Sequence, residues 1–94
     1  MRPVKSHTFR GRRWWLRWKR FRLDQAGECE APHVTGKTIS IDPRLADLKL
    51  LETLIHEGIH ACQWDLAEEA VHSTAADIAR FLWRVGYRLP GDEP

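Results

Sequence analysis

The chain of 94 residues lacks long apolar runs and internal repeats, and these absences exclude several classes of protein. No stretch approaches the roughly 20 apolar residues that a membrane span requires, so we expect no membrane-embedded segment. The N-terminus also lacks the uninterrupted apolar core of a secretion signal, because Arg and Lys recur within its aromatic stretch. We therefore expect a cytoplasmic protein.

Cysteine is scarce: Cys29 and Cys62 are the only two. They are too few and too far apart to predict a disulfide scaffold or a metal site. Cys62 falls on an apolar helix face, which is typical of a small buried hydrophobe, and pairing of the two cysteines stays an open alternative. A chain of this length predicts one domain over residues 1–94.

The N-terminal segment contains no acidic residue. Residues 1–23 carry nine Lys or Arg, whereas residues 24–94 carry six basic and thirteen acidic residues. Trp, Leu and Phe are interleaved with the cations from residue 12 to residue 23, which predicts one or two β-strands. Arg interleaved with Trp can bind nucleic acid through phosphates and bases. We favour the alternative, in which the tryptophans form a small core and the stems of Arg and Lys cover the sheet.

The most informative segment that is present is His56-Glu57-Gly58-Ile59-His60. Residues four apart share one face of a helix, so His56 and His60 can direct both imidazoles at one cation. Glu57 lies one residue round the helix, near enough to reach a metal-bound water. Two imidazoles with a neighbouring carboxylate form the arrangement that metal-assisted hydrolysis requires.

The surrounding segment, residues 47–63, predicts a mostly buried helix. Its apolar residues recur at helical spacing, while both histidines fall on a separate polar stripe and Glu57 falls at the border. The apolar stripe consists of Leu48, Leu51, Ile55, Ile59 and Cys62. Because buried imidazoles need partners, we expect a shared metal ion here.

A second predicted helix, residues 66–86, offers the third ligand. Asp65 and Glu68 fit a capping box, which leaves Glu69 as the free carboxylate close to His60. Gly86 follows the helix where a left-handed cap is expected. His72 shares the face of Glu69, where it could support a ligand or replace one, although a supporting or surface role is favoured.

These segments resemble a known family. HEGIH followed by a glutamate in the next helix looks like the gluzincin class of zinc metallopeptidases. The blocks GKTISIDPRL, LLETLIHEGIHACQWDLAEEAV and DIARFLWRVGYR are similar to small metallopeptidase-like proteins of phages and prophages. The resemblance covers roughly residues 36 to 88 and implies one Zn²⁺ ion, held by His56, His60 and Glu69.

Residues 37–42 alternate in the manner of a half-buried strand, between Gly36 and Pro43. In the family that the chain resembles, such a strand lies beside the active-site helix and pairs with an extended substrate. An exposed edge with unpaired backbone groups suits that task. The resemblance therefore implies an edge strand at 37–42, although an ordinary sheet strand has the same pattern.

The sequence as a whole predicts an α+β domain, with a small N-terminal sheet of two to three strands packed on two helices. The expected reaction is hydrolysis of a peptide bond, in which Glu57 acts as general base on a zinc-bound water. Tyr87 and His72 are candidates for stabilising the oxyanion. Two alternatives remain: a regulatory protease of phage or mobile-element biology that cuts a single partner, and a nucleic-acid-binding accessory protein with a structural zinc.

Overall fold

The structure, a computed structural model, describes residues 4–22 and 24–89 and contains a four-stranded sheet and two helices. The elements are β1 (Ser6–Phe9), β2 (Arg12–Trp18), β3 (Gly27–Cys29), β4 (Thr38–Ile41), α1 (Asp47–Cys62) and α2 (Glu68–Val85). This confirms the α+β class, with one strand more than the two to three expected. Residues 1–3, Leu23 and residues 90–94 lie outside the described residues, whereas Leu89 packs against the core.

The N-terminal strands β1 and β2 form an antiparallel hairpin. Only β2 lies within residues 12–23, where the sequence predicts one or two strands, and β1 precedes that range. Arg10 and Gly11 connect them with φ angles of 49° and 79°. Positive φ at both central residues is the signature of a type I′ turn, whose twist matches that of the flanking strands. This turn sets the register in which Phe9 lies opposite Arg12.

The strand order of the sheet is β1-β2-β4-β3, so β4 is an interior strand. It pairs in parallel with β2 and antiparallel with β3. The expectation of an edge strand at residues 37–42 is therefore wrong. The strand exists, but the three-residue β3 covers the side that was expected to be free, and β1 and β3 form the edges.

The hydrophobic core lies between one face of the sheet and α1. Its buried members are Trp14, Ile39, Ile41, Leu50 and Ala61. The second helix packs against α1 through its own buried residues, which are Val71, Ala75, Ala76 and Ala79. Mostly small side chains on this face allow close approach of the helices. The helix α1 is thus covered on two sides. This explains why Thr53 is buried, and why Glu57 is buried although the sequence places it only at the border of the apolar face.

A buried carboxylate joins the β2–β3 connection to the loop before α1. Asp42 Oδ2 accepts hydrogen bonds from the Phe21 amide and from Arg44 Nη2, at 3.0 and 2.6 Å. Asp42 Oδ1 accepts from Arg44 Nε, and Arg44 Nη2 also donates to the Phe21 carbonyl. These bonds lower the pKa of Asp42 below its usual range. The network fixes the end of β4, from which the chain enters α1.

The helix ends follow the sequence in part. Gly86 adopts the left-handed conformation, with φ 112°, and its amide bonds to the carbonyl of Leu82, as expected for the cap of α2. No helix in the described part of the chain is long and apolar enough to cross a membrane.

Candidate metal centre

Three side chains from the two helices converge at one point: His56 and His60 of α1 and Glu68 of α2. His56 Nε2 lies 2.9 Å from Glu68 Oε1, and His60 Nε2 lies 2.9 Å from Glu68 Oε2. One carboxylate therefore contacts both imidazoles. One donor atom from each residue lies within 4.8 Å of the other two.

The participating glutamate is Glu68, whereas the sequence favoured Glu69. The capping box that was expected to occupy Glu68 does not form: α2 begins at Glu68, and its N-cap, Ala67, has no side-chain hydrogen bond. Asp65 lies instead in a turn that is closed by a hydrogen bond from the Leu66 amide to the Gln63 carbonyl. Glu68 is thus free to turn toward the histidines, while Glu69 is exposed, about 100° further round the helix.

The donor set fits a metal ion. Two imidazole nitrogens and a carboxylate oxygen are zinc-type ligands, and the ligand atoms of a tetrahedral zinc site are separated by about 3.4 Å. The side chains of His56 and His60 are 17% and 16% exposed, and that of Glu68 is 67% exposed. The histidines are therefore held by packing, and a small outward movement of the Glu68 carboxylate makes room for an ion. A metal would replace the two nitrogen–oxygen contacts, since imidazoles bind metals through a deprotonated nitrogen.

Glu57 lies deep beside this group, in the contact between α1 and β3. Only 6% of the residue is exposed. A Cβ atom added at Gly27 would lie 3.0 Å from Glu57 Oε2 and 3.0 Å from Thr53 Cγ2, so the glycine permits a close approach of strand and helix. Burial, and then the nearby carboxylates of Glu68 and Glu28, raise the pKa of Glu57 to about 7. An acceptor of this kind can exchange a proton near neutral pH.

A cleft of ≈ 290 Å³ connects these groups to solvent. It is lined by Asp24, Gln25, Ala26, Gly27, Lys49, Glu52, Thr53, His56, Glu57, Glu68 and His72. The ring centroid of His72 lies 6.1 Å from that of His56. His72 therefore lines the wall of the cleft and is not one of the three converging donors.

The edge strand β3 forms one side of the cleft, and some of its backbone N–H and C=O groups are not bonded to β4. Ala26 accepts a hydrogen bond from the amide of Asp42, and the amide of Glu30 donates to Thr38. In an antiparallel pair, alternate residues bond to the neighbouring strand, so the intervening Gly27 and Cys29 direct their backbone N–H and C=O away from β4. The Gly27 carbonyl has one long contact, 3.4 Å from Gln25 Nε2.

Other candidate residues are not brought to this site. Tyr87 lines a different, apolar cavity beside Asp47 and Leu51, near the opposite end of α1. Cys29 and Cys62 are both free, so the pairing left open by the sequence does not form. Burial, followed by the negative charge of Glu57, raises the pKa of the Cys29 thiol to about 12.

The sequence did not identify Gly27 and Thr53 as parts of the site. Thr53 Oγ1 donates to the carbonyl of Lys49 within α1, which fixes its methyl group against Gly27. Gly27 carries no positive-φ requirement and lies in a segment without apolar alternation. A lone glycine of this kind has no local signal, because its importance comes from a helix that is distant in sequence.

Comparison of the chain with models of known protein families, with curated proteins and with solved structures finds no match.

Proposed function

We propose that this chain is a zinc-dependent metallopeptidase whose metal ligands are His56, His60 and Glu68 and whose general base is Glu57. The observation that carries the proposal is the carboxylate of Glu68, which contacts both imidazoles of the HEGIH segment at 2.9 Å. An acidic side chain of raised pKa lies in the adjoining cleft. The resemblance of HEGIH and the following glutamate to gluzincins agrees with this assignment.

Zinc in such a site supplies a Lewis acid, which polarises a carbonyl group and lowers the pKa of a coordinated water to near 7. The exposed side of the Glu68 carboxylate leaves the site open toward the cleft. An open coordination position is what separates catalytic from structural zinc sites, since structural sites are closed by four protein ligands.

The role of Glu57 is to move a proton. A carboxylate oxygen of Glu57 takes the proton of the attacking water and then delivers it to the leaving amine. The backbone of Gly27 lies close against this side chain, since a Cβ added there would be 3.0 Å from Glu57 Oε2. General acid–base groups depend on such fixed positions, because proton transfer requires hydrogen-bond geometry with the reacting atoms.

The substrate would bind as an extended peptide along the free edge of β3. Backbone groups of Gly27 and Cys29 are available there for strand addition, beside Glu57. This edge takes the place of residues 37–42, which the family resemblance implied as the substrate strand.

The test is Glu57→Gln, with Glu52→Gln as the matched control on the same helix and in the same cleft. Glutamine keeps the size of the side chain but cannot accept the proton. With a library of quenched fluorescent peptides as substrate, we expect Glu57→Gln to retain zinc and to lose about 10²- to 10⁴-fold in turnover. Glu52→Gln should keep both zinc and turnover. Equal turnover in Glu57→Gln and the wild type would remove the catalytic assignment.

The metal ligands are tested by measuring zinc affinity in Glu68→Gln and Glu69→Gln. Both residues lie in the first turn of α2, and only Glu68 contacts the histidines. Glu68→Gln should weaken zinc binding strongly, whereas Glu69→Gln should bind as the wild type does. Loss of zinc in Glu69→Gln alone would reverse the assignment.

A structural zinc is the competing proposal, and one observation favours it: the three donors come from both helices, so a bound ion would join α1 to α2. In that case Glu57→Gln would leave every activity of the protein unchanged. A regulatory protease that cuts a single partner would instead be silent on the peptide library. It would cleave that partner in a Glu57-dependent manner.

A further inference from the structure

The face of the sheet turned away from the helices carries a row of exposed side chains from β2. Residues paired directly across neighbouring strands project on the same side. Leu16 pairs with Ile39 and Trp18 pairs with Ile41, and all four belong to the core side. The alternate residues Arg13, Trp15 and Arg17 therefore project from the opposite face, which we call the outer face.

The row continues beyond the end of β2. The amide of Lys19 donates to the carbonyl of Ile41, so the ladder and its alternation extend to Lys19. The outer row is then Arg13, Trp15, Arg17 and Lys19, with about 7 Å between successive members. Three positively charged side chains thus lie on either side of the Trp15 indole. Their spacing along the strand is similar to the spacing of phosphates along an extended single strand of nucleic acid.

Trp15 is the residue in this row that fold stability does not explain. It is 45% exposed, whereas its neighbour Trp14 is 1% exposed and fills the core. The guanidinium of Arg13 lies 5.8 Å from the centroid of the Trp15 ring. On the adjoining strand, Trp15 faces the small residue Ser6, which leaves one side of the indole accessible. An aromatic ring between cations is a stacking platform for a nucleobase.

The charges on the outer face are divided between its two sides. Next to β2, the residues of β1 that share this face are Ser6 and Thr8, which are neutral. Acidic residues lie toward the other edge: Glu28 in β3, and Glu30, whose Oε1 accepts hydrogen bonds from the amide and hydroxyl of Thr38. Arg17 borders this acidic side, because its Nε donates to Ser40 Oγ at 3.3 Å and its charge interacts with Glu30. A polyanion would therefore follow β2 and β1 and avoid β3.

We propose that the outer face binds single-stranded nucleic acid, with a base stacked on Trp15 and phosphates on Arg13, Arg17 and Lys19. A single strand fits better than a duplex, because only unpaired bases present their ring faces to an aromatic side chain on a flat sheet. The sequence favours a core position for the tryptophans, and the structure divides them: Trp14 and Trp18 pack inward, and Trp15 does not. This binding surface goes beyond the proposed peptidase function and lies on the side of the sheet opposite α1.

The experiment measures fluorescence anisotropy of labelled oligonucleotides of about 12 nucleotides with the full-length protein. Oligo-dT and oligo-rU form separate arms, which distinguish DNA from RNA as the natural strand. Trp15→Leu keeps an apolar side chain but removes stacking and should weaken binding roughly tenfold. Trp15→Tyr keeps an aromatic ring and should retain most of the affinity, which separates lost stacking from lost folding.

The charges are tested by the salt dependence of binding. Each phosphate contact contributes about 0.7 to the slope of log affinity against log salt for single strands, so Arg13→Ala combined with Arg17→Ala should reduce that slope by about 1.4. Two controls are matched in exposure and chemistry: Trp64→Leu, since Trp64 is 41% exposed outside the sheet, and Arg80→Ala on α2. Both should bind as the wild type does.

Three outcomes would overturn the proposal. The first is equal affinity of Trp15→Leu and the wild type. The second is competition by duplex DNA or heparin as effective as that by a single strand, which would indicate a general polyanion surface. The third is tighter binding to vesicles containing an anionic lipid than to either oligonucleotide, which would make the outer face a membrane surface.

Discussion

Replacing Gly27 by alanine should disturb the candidate site through a single added methyl group. The new Cβ would lie 3.0 Å from Glu57 Oε2, 3.1 Å from Glu57 Cγ and 3.0 Å from Thr53 Cγ2. Thr53 is held by its hydrogen bond to Lys49, at 2.8 Å, so the strain falls mainly on Glu57. Gly27 does not have a positive φ, so alanine can adopt its backbone conformation. The expected damage therefore comes from steric contact of the added methyl group.

The size of the effect follows from the crowding. Inserting a methyl group into a packed contact costs typically about 1–3 kcal/mol. If Glu57 moves to relieve the contact, part of this cost disappears and the carboxylate is displaced instead. A misplacement of about 1 Å can reduce turnover roughly 100-fold. Gly27→Ala should therefore lose stability, or lose turnover with its zinc content unchanged.

Gly58→Ala is the matched control, since it adds the same methyl group next to Glu57 in α1 but directs it toward Phe9 of β1. Its Cβ would lie 3.7 Å from Phe9 Cε1, which is an ordinary contact. Alanine in a helix interior is about 0.5–1 kcal/mol more favourable than glycine, so this variant should be slightly more stable. Urea unfolding and peptide turnover of both variants provide the comparison. Wild-type values for Gly27→Ala in both measurements, or greater damage from Gly58→Ala, would contradict the predicted crowding at Glu57.

Three further outcomes are expected. Removing metal with a chelator should lower the melting temperature markedly, because an ion bound only by the native state stabilises it; an unchanged melting curve would mean that no ion joins α1 to α2. The pKa of Asp42 is lowered by its bonds to Arg44 and Phe21. The contribution of Asp42 to folding stability is therefore complete above about pH 4, the pKa of an unfolded aspartate, and is lost as the pH falls further. Asp42→Asn should be less stable than the wild type at neutral pH and lose less stability in acid, and an equal loss in acid would count against the network. Burial raises the pKa of Cys29 to about 12, so its thiol should resist alkylation at pH 8 in the native protein and react readily in urea. Rapid alkylation of Cys29 in the native protein would contradict that burial.

The helices and the histidine pair could be predicted because their signals are local. The apolar repeat around HEGIH defines a helix within residues 47–63, and α1 covers Asp47–Cys62. The choice between Glu68 and Glu69 depended on where α2 begins. A capping box at Asp65 was a reasonable local pattern, but the backbone turn over residues 63–66 competes with it, and the helix starts later.

The position of β4 could not be predicted for a different reason. Its alternating sequence indicates a strand but carries no information about its neighbours in the sheet. The neighbour β3 has three residues, Gly-Glu-Cys, and no apolar alternation. Its pairing is stabilised by contacts with β4 and α1, which lie ten or more residues away along the chain.

The position of α1 between the sheet and α2 has a consequence for local unfolding. The core of the sheet lies on one side of α1, and α2 packs on the other. We expect α2 to open before the sheet does, so its backbone amides should exchange hydrogen with solvent sooner than those of β2 and β4. Glu68, at the first turn of α2, is the residue through which a bound ion would suppress this opening. Amide exchange rates along α2, including residues that do not contact the ion, would then show whether the metal site is occupied.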